Sequence, residues 1–370
     1  MNRIARWLYG WLIVALTLSA CSLGGKPTPT PKPLAVGVVL PTRDEPRWLQ
    51  DEARFREAFR KAGYEAEILF SDGSVEKELA NVRELVSRGI KVLVICPHDV
   101  STAAPAAELA YNAGVKVVSY DRLILNTKAV DYFVTFDSLS VGEQQARYLI
   151  EHATGTGHPL FLYAGALSDS NSYWFFGGAW TTLQPYIANG TFVIKNSPTA
   201  ITFQTKAGLT REELAAIMAE ITTDWNLATA RALAQKNLQA LGPADKGYVY
   251  ILAPNDGTAQ AIREAFAADP DVKGYVLTGQ DAEKFAVQAI LDGQQSMTVF
   301  KDVRVLVQNT INTAITLLQG EQPPVRGIYN NGAKDVPAVQ SPVITVDREH
   351  VRTALIDSGY YKASDFKNLP

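Results

Sequence analysis

Cysteine is nearly absent: the 370 residues hold two, Cys21 and Cys96. So few cannot staple a small disulfide scaffold, and no CxxC pair exists to grip a structural metal. Histidine is as scarce. His98, His152, His158 and His350 are scattered, without HExxH spacing, and the last three read as surface residues. Long apolar runs are missing too. The longest near the start, Trp11 to Leu18, is far short of the ~20 residues that span a bilayer. No block of basic residues appears, and the formal net charge is −3, so the footprint of a nucleic-acid binder is absent. There is no GxSxG and no P-loop, and Gly155-Thr156-Gly157 lacks the next glycine of a dinucleotide turn. No spacing selects a carboxylate pair for glycoside hydrolysis. The chain therefore reads as a non-enzyme without cofactor or metal.

What is there begins at the N-terminus. Arg3 and Arg6 precede a short apolar core, which ends in Leu18-Ser19-Ala20-Cys21. A basic start, an apolar core and a small-residue cleavage site describe an export leader over 1–20. Residues 18–21 resemble the lipobox of bacterial lipoproteins, which implies a lipid on Cys21 and attachment to a membrane outside the cytoplasm. Loss of Arg3 and Arg6 would take the net charge to −5. Cys96 would then stand alone. It ends the run Val92-Leu93-Val94-Ile95 and reads as a buried small hydrophobe. Residues 21–33 contain GGKPTPTPKP, whose alternating prolines favour an extended spacer of ~3 Å per residue.

The remaining ~335 residues suit two domains, and a 47% apolar fraction suffices for two cores. Short β-branched runs alternate with amphipathic stretches. Strands are expected at 36–40, 66–70, 91–95, 115–119, 132–136, 159–163, 192–195, 248–253, 274–278 and 297–300. Helices are expected at 48–62, around 79–86, and at 101–113, 139–152, 175–187, 227–241, 258–267, 282–291 and 303–319. Apolar strands separated by helices imply parallel sheets covered on both faces, hence an α/β chain of two doubly wound lobes. Residues 197–224 break the alternation. Thr210 and Glu213 form a capping box ahead of Leu214, Ile217, Met218 and Ile221, so an extra helix is inserted there.

In such sheets ligands bind beyond the carboxyl ends of strands. Polar residues recur there: Arg43, Asp44, Arg47 and Trp48; His98 and Asp99; Asp121 and Arg122; Asp137; Asn171; Asn255 and Asp256; Gln280 and Asp281; Lys301 and Asp302. Trp225 stands before a helix. Sugar hydroxyls both donate and accept, so they want Asp and Asn beside Arg and Lys. The sugar's C–H faces want aromatic planes, which Trp48 and Trp225 offer.

Seven segments carry a family resemblance: PTRDEPRWLQDE (41–52), VKVVSYDRLI (115–124), FDSLSVGEQQA (136–146), SDSNSYWFFGGA (168–179), GQDAE (279–283), TVFKDVR (298–304) and NNGAKDVP (330–337). Together they resemble the periplasmic binding proteins for pentoses and hexoses, the xylose-binding and multiple-sugar-binding branches in particular. The resemblance implies the type I periplasmic-binding fold, with 34–136 plus 302–340 as one lobe and 137–301 plus 341–370 as the other. Three crossovers would form the hinge, near 136–138, 300–302 and 338–342. It implies a monomer that takes a monosaccharide such as xylose or glucose to an ABC transporter permease. Arg47, Arg122, Asp137, Asn171, Asn255, Asp281 and Lys301 would hydrogen-bond the sugar. Trp48 and Trp225 would stack on it, and Asp121 would bind it or orient Arg122. Arg47, Trp48 and Arg122 belong to the first lobe; Asp137, Asn171, Asn255, Asp281 and Lys301 belong to the second or the hinge. The calcium loop of the galactose-binding branch has no counterpart. A module that presents sugar to a membrane sensor would use the same cleft. A sugar-responsive repressor would need a helix-turn-helix where the leader stands.

Overall fold

The computed structural model describes residues 34–370; the leader, the tether and Cys21 lie outside that range. The first lobe opens with β1 (Val36–Leu40), α1 (Pro46–Ala62), β2 (Ala66–Phe70), α2 (Val75–Ser87), β3 (Val92–Ile95), α3 (Ala104–Asn112), β4 (Lys116–Tyr120) and β5 (Tyr132–Phe136). The chain then crosses into α4 (Ser138–Glu151), β6 (His158–Leu162), α5 (Ser170–Ala188), β7 (Phe192–Ile194), α6 (Pro198–Thr202), α7 (Arg211–Ile221) and α8 (Leu227–Gln239). The second lobe continues with β8 (Gly247–Leu252), α9 (Asp256–Ala268), β9 (Val272–Leu277), α10 (Lys284–Leu291) and β10 (Met297–Phe300). Helix α11 (Val303–Leu318), β11 (Gly327–Asn330) and β12 (Asp335–Ser341) return to the first lobe, and β13 (Ile344–Asp347) goes back to the second.

The first sheet has seven strands in the order β11-β12-β5-β4-β3-β1-β2, parallel except for β11. Its strands are apolar on both faces because both are covered. Val38, Leu40, Val94, Val118 and Val134 point to Phe55, Phe59, Leu306 and Ile311 of α1 and α11. Val39, Leu93, Ile95 and Val117 point the other way, to Val82, Leu85, Ala106 and Ala107 of α2 and α3. Cys96 is buried in the first of these layers, as its apolar neighbours imply. The second sheet runs β7-β6-β8-β9 in parallel. A bridge between Gln280 and Val299 joins it to β10, which pairs antiparallel with β13. The chain thus changes lobe three times, beyond Phe136, Phe300 and Ser341.

Sequence and structure differ most after Leu318, where no strand is expected and three occur. Pro323, Pro324, Pro337 and Pro342 hide them, since proline is foreign to a central strand. Pro337 is tolerated because β12 pairs with β5 only from Ala338 onward. Helix α5 begins at Ser170 rather than 175, because the Asp169 side chain accepts from Asn171 N–H and caps it. The inserted segment holds the expected capping box and a further short helix, α6. Ile217, Met218 and Ile221 fill the core against α5, and an isolated β-bridge pairs Thr222, just past α7, with Ala164.

Helices α4 and α5 cross with their backbones touching. A Cβ on Gly142 would lie 1.8 Å from the Phe175 carbonyl oxygen, and one on Gly178 would lie 2.3 Å from that of Leu139. Backbone cannot step aside as a side chain can, so Gly142→Ala should lower the unfolding free energy by about 1–3 kcal/mol, the usual cost of overpacking. Urea titration checks this; an unchanged midpoint would refute the close-crossing argument.

Candidate functional site

The strand ends of both lobes converge on one small cleft. The first lobe contributes Glu45, Arg47 and Trp48 at the start of α1, and Asp121 and Arg122 after β4. The second contributes Asp169, Asn171 and Phe175 around the start of α5, with Trp225 ahead of α8. Asn255, Gln280, Asp281 and Lys301 follow β8, β9 and β10. Parallel strands put all these loops at the same end of each sheet.

Charge is packed here on largely buried side chains. Arg47 Nε donates to Asp51 Oδ2 (2.8 Å) and its Nη2 to Asp121 Oδ2 (2.7 Å); Nη1 lies 3.9 Å from Asp281 Oδ1. The Tyr120 hydroxyl donates to the same Asp51 from behind. Lys301 Nζ pairs with Asp281 Oδ1 at 2.7 Å. Arg122 Nε lies 2.9 Å from Asp169 Oδ2, and its Nη2 lies 3.5 Å from Glu45 Oε1. Asn171 Nδ2 donates to Asp121 Oδ1 (2.9 Å), and the Trp225 indole N–H donates to Asp169 Oδ2 (3.2 Å). The two guanidiniums sit 4.8 and 5.1 Å from the Trp48 ring, within cation–π range. Burial favours the neutral form of Asp121, but Arg47 and then Lys301 outweigh it and hold that carboxyl below its usual range. For Asp169 burial prevails over Arg122, and the carboxyl lies above its usual range.

Backbone strain collects at the same place. Asp121, Trp225 and Asp281 have φ of 62°, 55° and 99°, a left-handed region that side chains seldom occupy. Such conformations persist only where the surroundings enforce them. Trp225 is enforced by a gap: a Cβ on Gly165 would lie 2.1 Å from its ring. The pairing of Thr222 and Thr223 with Ala164 delivers the indole to that gap.

Of the ten residues expected to meet a ligand, the cleft gathers Arg47, Trp48, Asp121, Arg122, Asn171, Trp225, Asn255, Asp281 and Lys301. Asp137 stands apart from these nine. It does not line the cleft; it caps α4, accepting from Ser140 N–H (3.2 Å) and Ser140 Oγ (2.8 Å). Ser138, one residue on, donates to Asn171 Oδ1 instead (3.1 Å). Glu45, Asp169 and Phe175 also line the cleft without being singled out in the sequence, and Gln280, noted there as a strand-end residue, joins them. A capping reading of Asp169-Ser170-Asn171 would have found Asp169. Other strand-end polar residues are structural. Arg43 lies over Phe70 and pairs with Asp72, Asp99 accepts from Ser101 and Thr102 N–H, and Asp302 caps α11.

Beneath the cleft, Asp256 accepts from Gln295 Nε2, Thr298 Oγ1 and Glu283 N–H, tying the segments that follow β8 and β9 to β10 and the turn before it. Burial, and then Asp281, pushes its carboxyl up to about 8. Burial, and then Asp281 and Asp256, pushes Glu283 to about 9. Glu283 Oε2 has no hydrogen-bond partner.

The profile of the periplasmic binding protein domain matches residues 36–322. The multiple sugar-binding periplasmic receptor of Rhizobium radiobacter is 32% identical, with 90% of this chain and 92% of that protein aligned. The D-xylose-binding periplasmic protein of Escherichia coli is 27% identical, over 90% and 93%. The crystal structure of a carbohydrate transporter solute-binding protein from Chloroflexus aurantiacus, in complex with D-glucose, is 66% identical with a TM-score of 0.90. It covers 91% of this chain and 99% of that one.

The buried acids make stability depend on pH. Unfolded, Asp256 and Glu283 titrate near ~3.9 and ~4.3. Folded, they keep their protons to about 8 and about 9. Between those limits the native state binds more protons, so their contribution falls as pH rises from ~4.5 towards 9. Glu283→Gln cannot titrate and should flatten that decline. Urea midpoints of both proteins from pH 5 to 9 check this; parallel curves would refute it.

Proposed function

The chain belongs to the periplasmic binding protein domain family, and we propose that it binds a monosaccharide of the glucose type between its lobes and delivers it to an ABC transporter permease. Its relatives are transport receptors rather than enzymes. The observation that carries the reading is where unpartnered polarity collects. Arg122 Nε and Asp281 Oδ1 are met only as ion pairs, by Asp169 and Lys301, and two further buried atoms of the cleft, Trp48 Nε1 and Gln280 Oε1, lack a hydrogen-bond partner among the described residues. Each such atom costs about 1–3 kcal/mol when left buried and unmet. A polyhydroxylated ring supplies donors and acceptors in the same small volume, and Trp48, Phe175 and Trp225 offer apolar planes to its C–H faces. The D-glucose bound by the 66% identical neighbour favours a hexose over xylose. A sugar gripped from both sides stabilises the closed arrangement by its differential affinity for it, and the permease would read that shape.

Calorimetry with glucose and xylose tests the ligand. Arg122→Ala and Asp281→Ala should each weaken glucose binding by ~10-fold or more, the loss of a charged hydrogen bond. Full affinity in both variants would remove the proposed site. The anchor is tested separately. The leader ending in Leu18-Ser19-Ala20-Cys21 supports lipidation, so Cys21→Ser should release the protein from membranes after export. A wild-type protein that is soluble and unacylated after export would refute the anchor while leaving the cleft untouched.

A further inference from the structure

Three cations and four carboxylates line the cleft: Arg47, Arg122 and Lys301 against Glu45, Asp121, Asp169 and Asp281. Each cation already has an acid at short range. Arg47 Nη2 is 2.7 Å from Asp121, Lys301 Nζ is 2.7 Å from Asp281, and Arg122 Nε is 2.9 Å from Asp169. Arg47 has Asp51 behind it as well, at 2.8 Å. Glu45 is the surplus. Its nearest cation is Arg122 at 3.5 Å, and Arg122 is already held by Asp169. Burial outweighs Arg122 and lifts its carboxyl above the usual carboxylate range.

We propose that Glu45 is a specificity-determining residue that makes the cleft a charge filter, admitting neutral aldohexoses and rejecting hexuronic acids. The inference rests on the reading of the cleft as a monosaccharide site. A hexuronate differs from its aldohexose by a carboxylate in place of one hydroxymethyl group. Shape separates the two poorly; charge separates them well. An entering carboxylate finds no unmatched guanidinium or ammonium. It meets a surplus acid that is only partly exposed, where water and salt screen the repulsion less than at an open surface. Like charges juxtaposed at an interface suppress binding strongly. Specificity of this kind lies in the repulsive element, and here one side chain supplies it.

Glu45 is the N-cap residue of α1, yet its side chain makes no capping hydrogen bond. Serine is a preferred N-cap, so Glu45→Ser suits the same backbone, and Glu45→Gln keeps the shape without the charge. Calorimetry with D-glucose and D-glucuronate at pH 7.5 tests the filter. Wild-type protein should favour glucose by ~100-fold or more. The ratio of the two affinities should narrow by ~10-fold or more in both variants, through stronger glucuronate binding. Wild-type protein that binds glucuronate within about threefold of glucose would overturn the filter, as would variants that bind glucose with the ratio unchanged. If wild-type protein bound no monosaccharide at all, the transport reading would fall first and the filter with it.

Discussion

Arg47 is a guanidinium sealed between two lobes, and most of the cleft can be traced to what its charge requires. A cation taken out of water needs acids of good geometry close by, and losing one partner of a buried pair is costly. Asp51 on the same helix, Asp121 after β4 and Asp281 after β9 supply them. Meeting that need fixes the next layer. Asp121 is held by Asn171, which is held by Ser138 at the first crossover, and Asp281 is held by Lys301 at the second. One charge therefore ties both lobes and two of the three crossovers to a common geometry.

The strand ends were legible because chemistry and periodicity agree there. The run Val36 to Leu40 reads as a buried strand, and Arg47 and Trp48 beyond it reach the cleft. What failed was resolution of one or two residues. Asp137 and Asn171 both follow strands, but Asp137 turns back to cap its own helix while Asn171 rides inside the next one. Polar residues at helix starts serve caps and ligands equally well, and only the side-chain direction separates them. The strands after Leu318 were lost for another reason. Proline breaks the apolar pattern there, and pairing with β5 across two hundred residues restores the strand in a way no local window registers.

The inserted segment shows a third kind of gap. Its capping box and apolar face were plain, but its purpose depends on a contact with Ala164, far back in the chain. That contact places an indole against a glycine whose side chain is missing to receive it. Neither partner signals the other in sequence.

The triple crossover has a consequence for the order in which the molecule can be built. Strand β5 lies in the interior of its sheet only once β12 has docked against it, residue 338 against residue 133. Helix α11, which covers one face of that sheet, comes from the same late part of the chain. Non-local pairing of this kind slows folding, because loop closure precedes its reward. A nascent chain lacking its last forty residues leaves the first sheet with β5 as an open edge. The unfinished polypeptide thus keeps this sheet open-edged until nearly its last residues have been made.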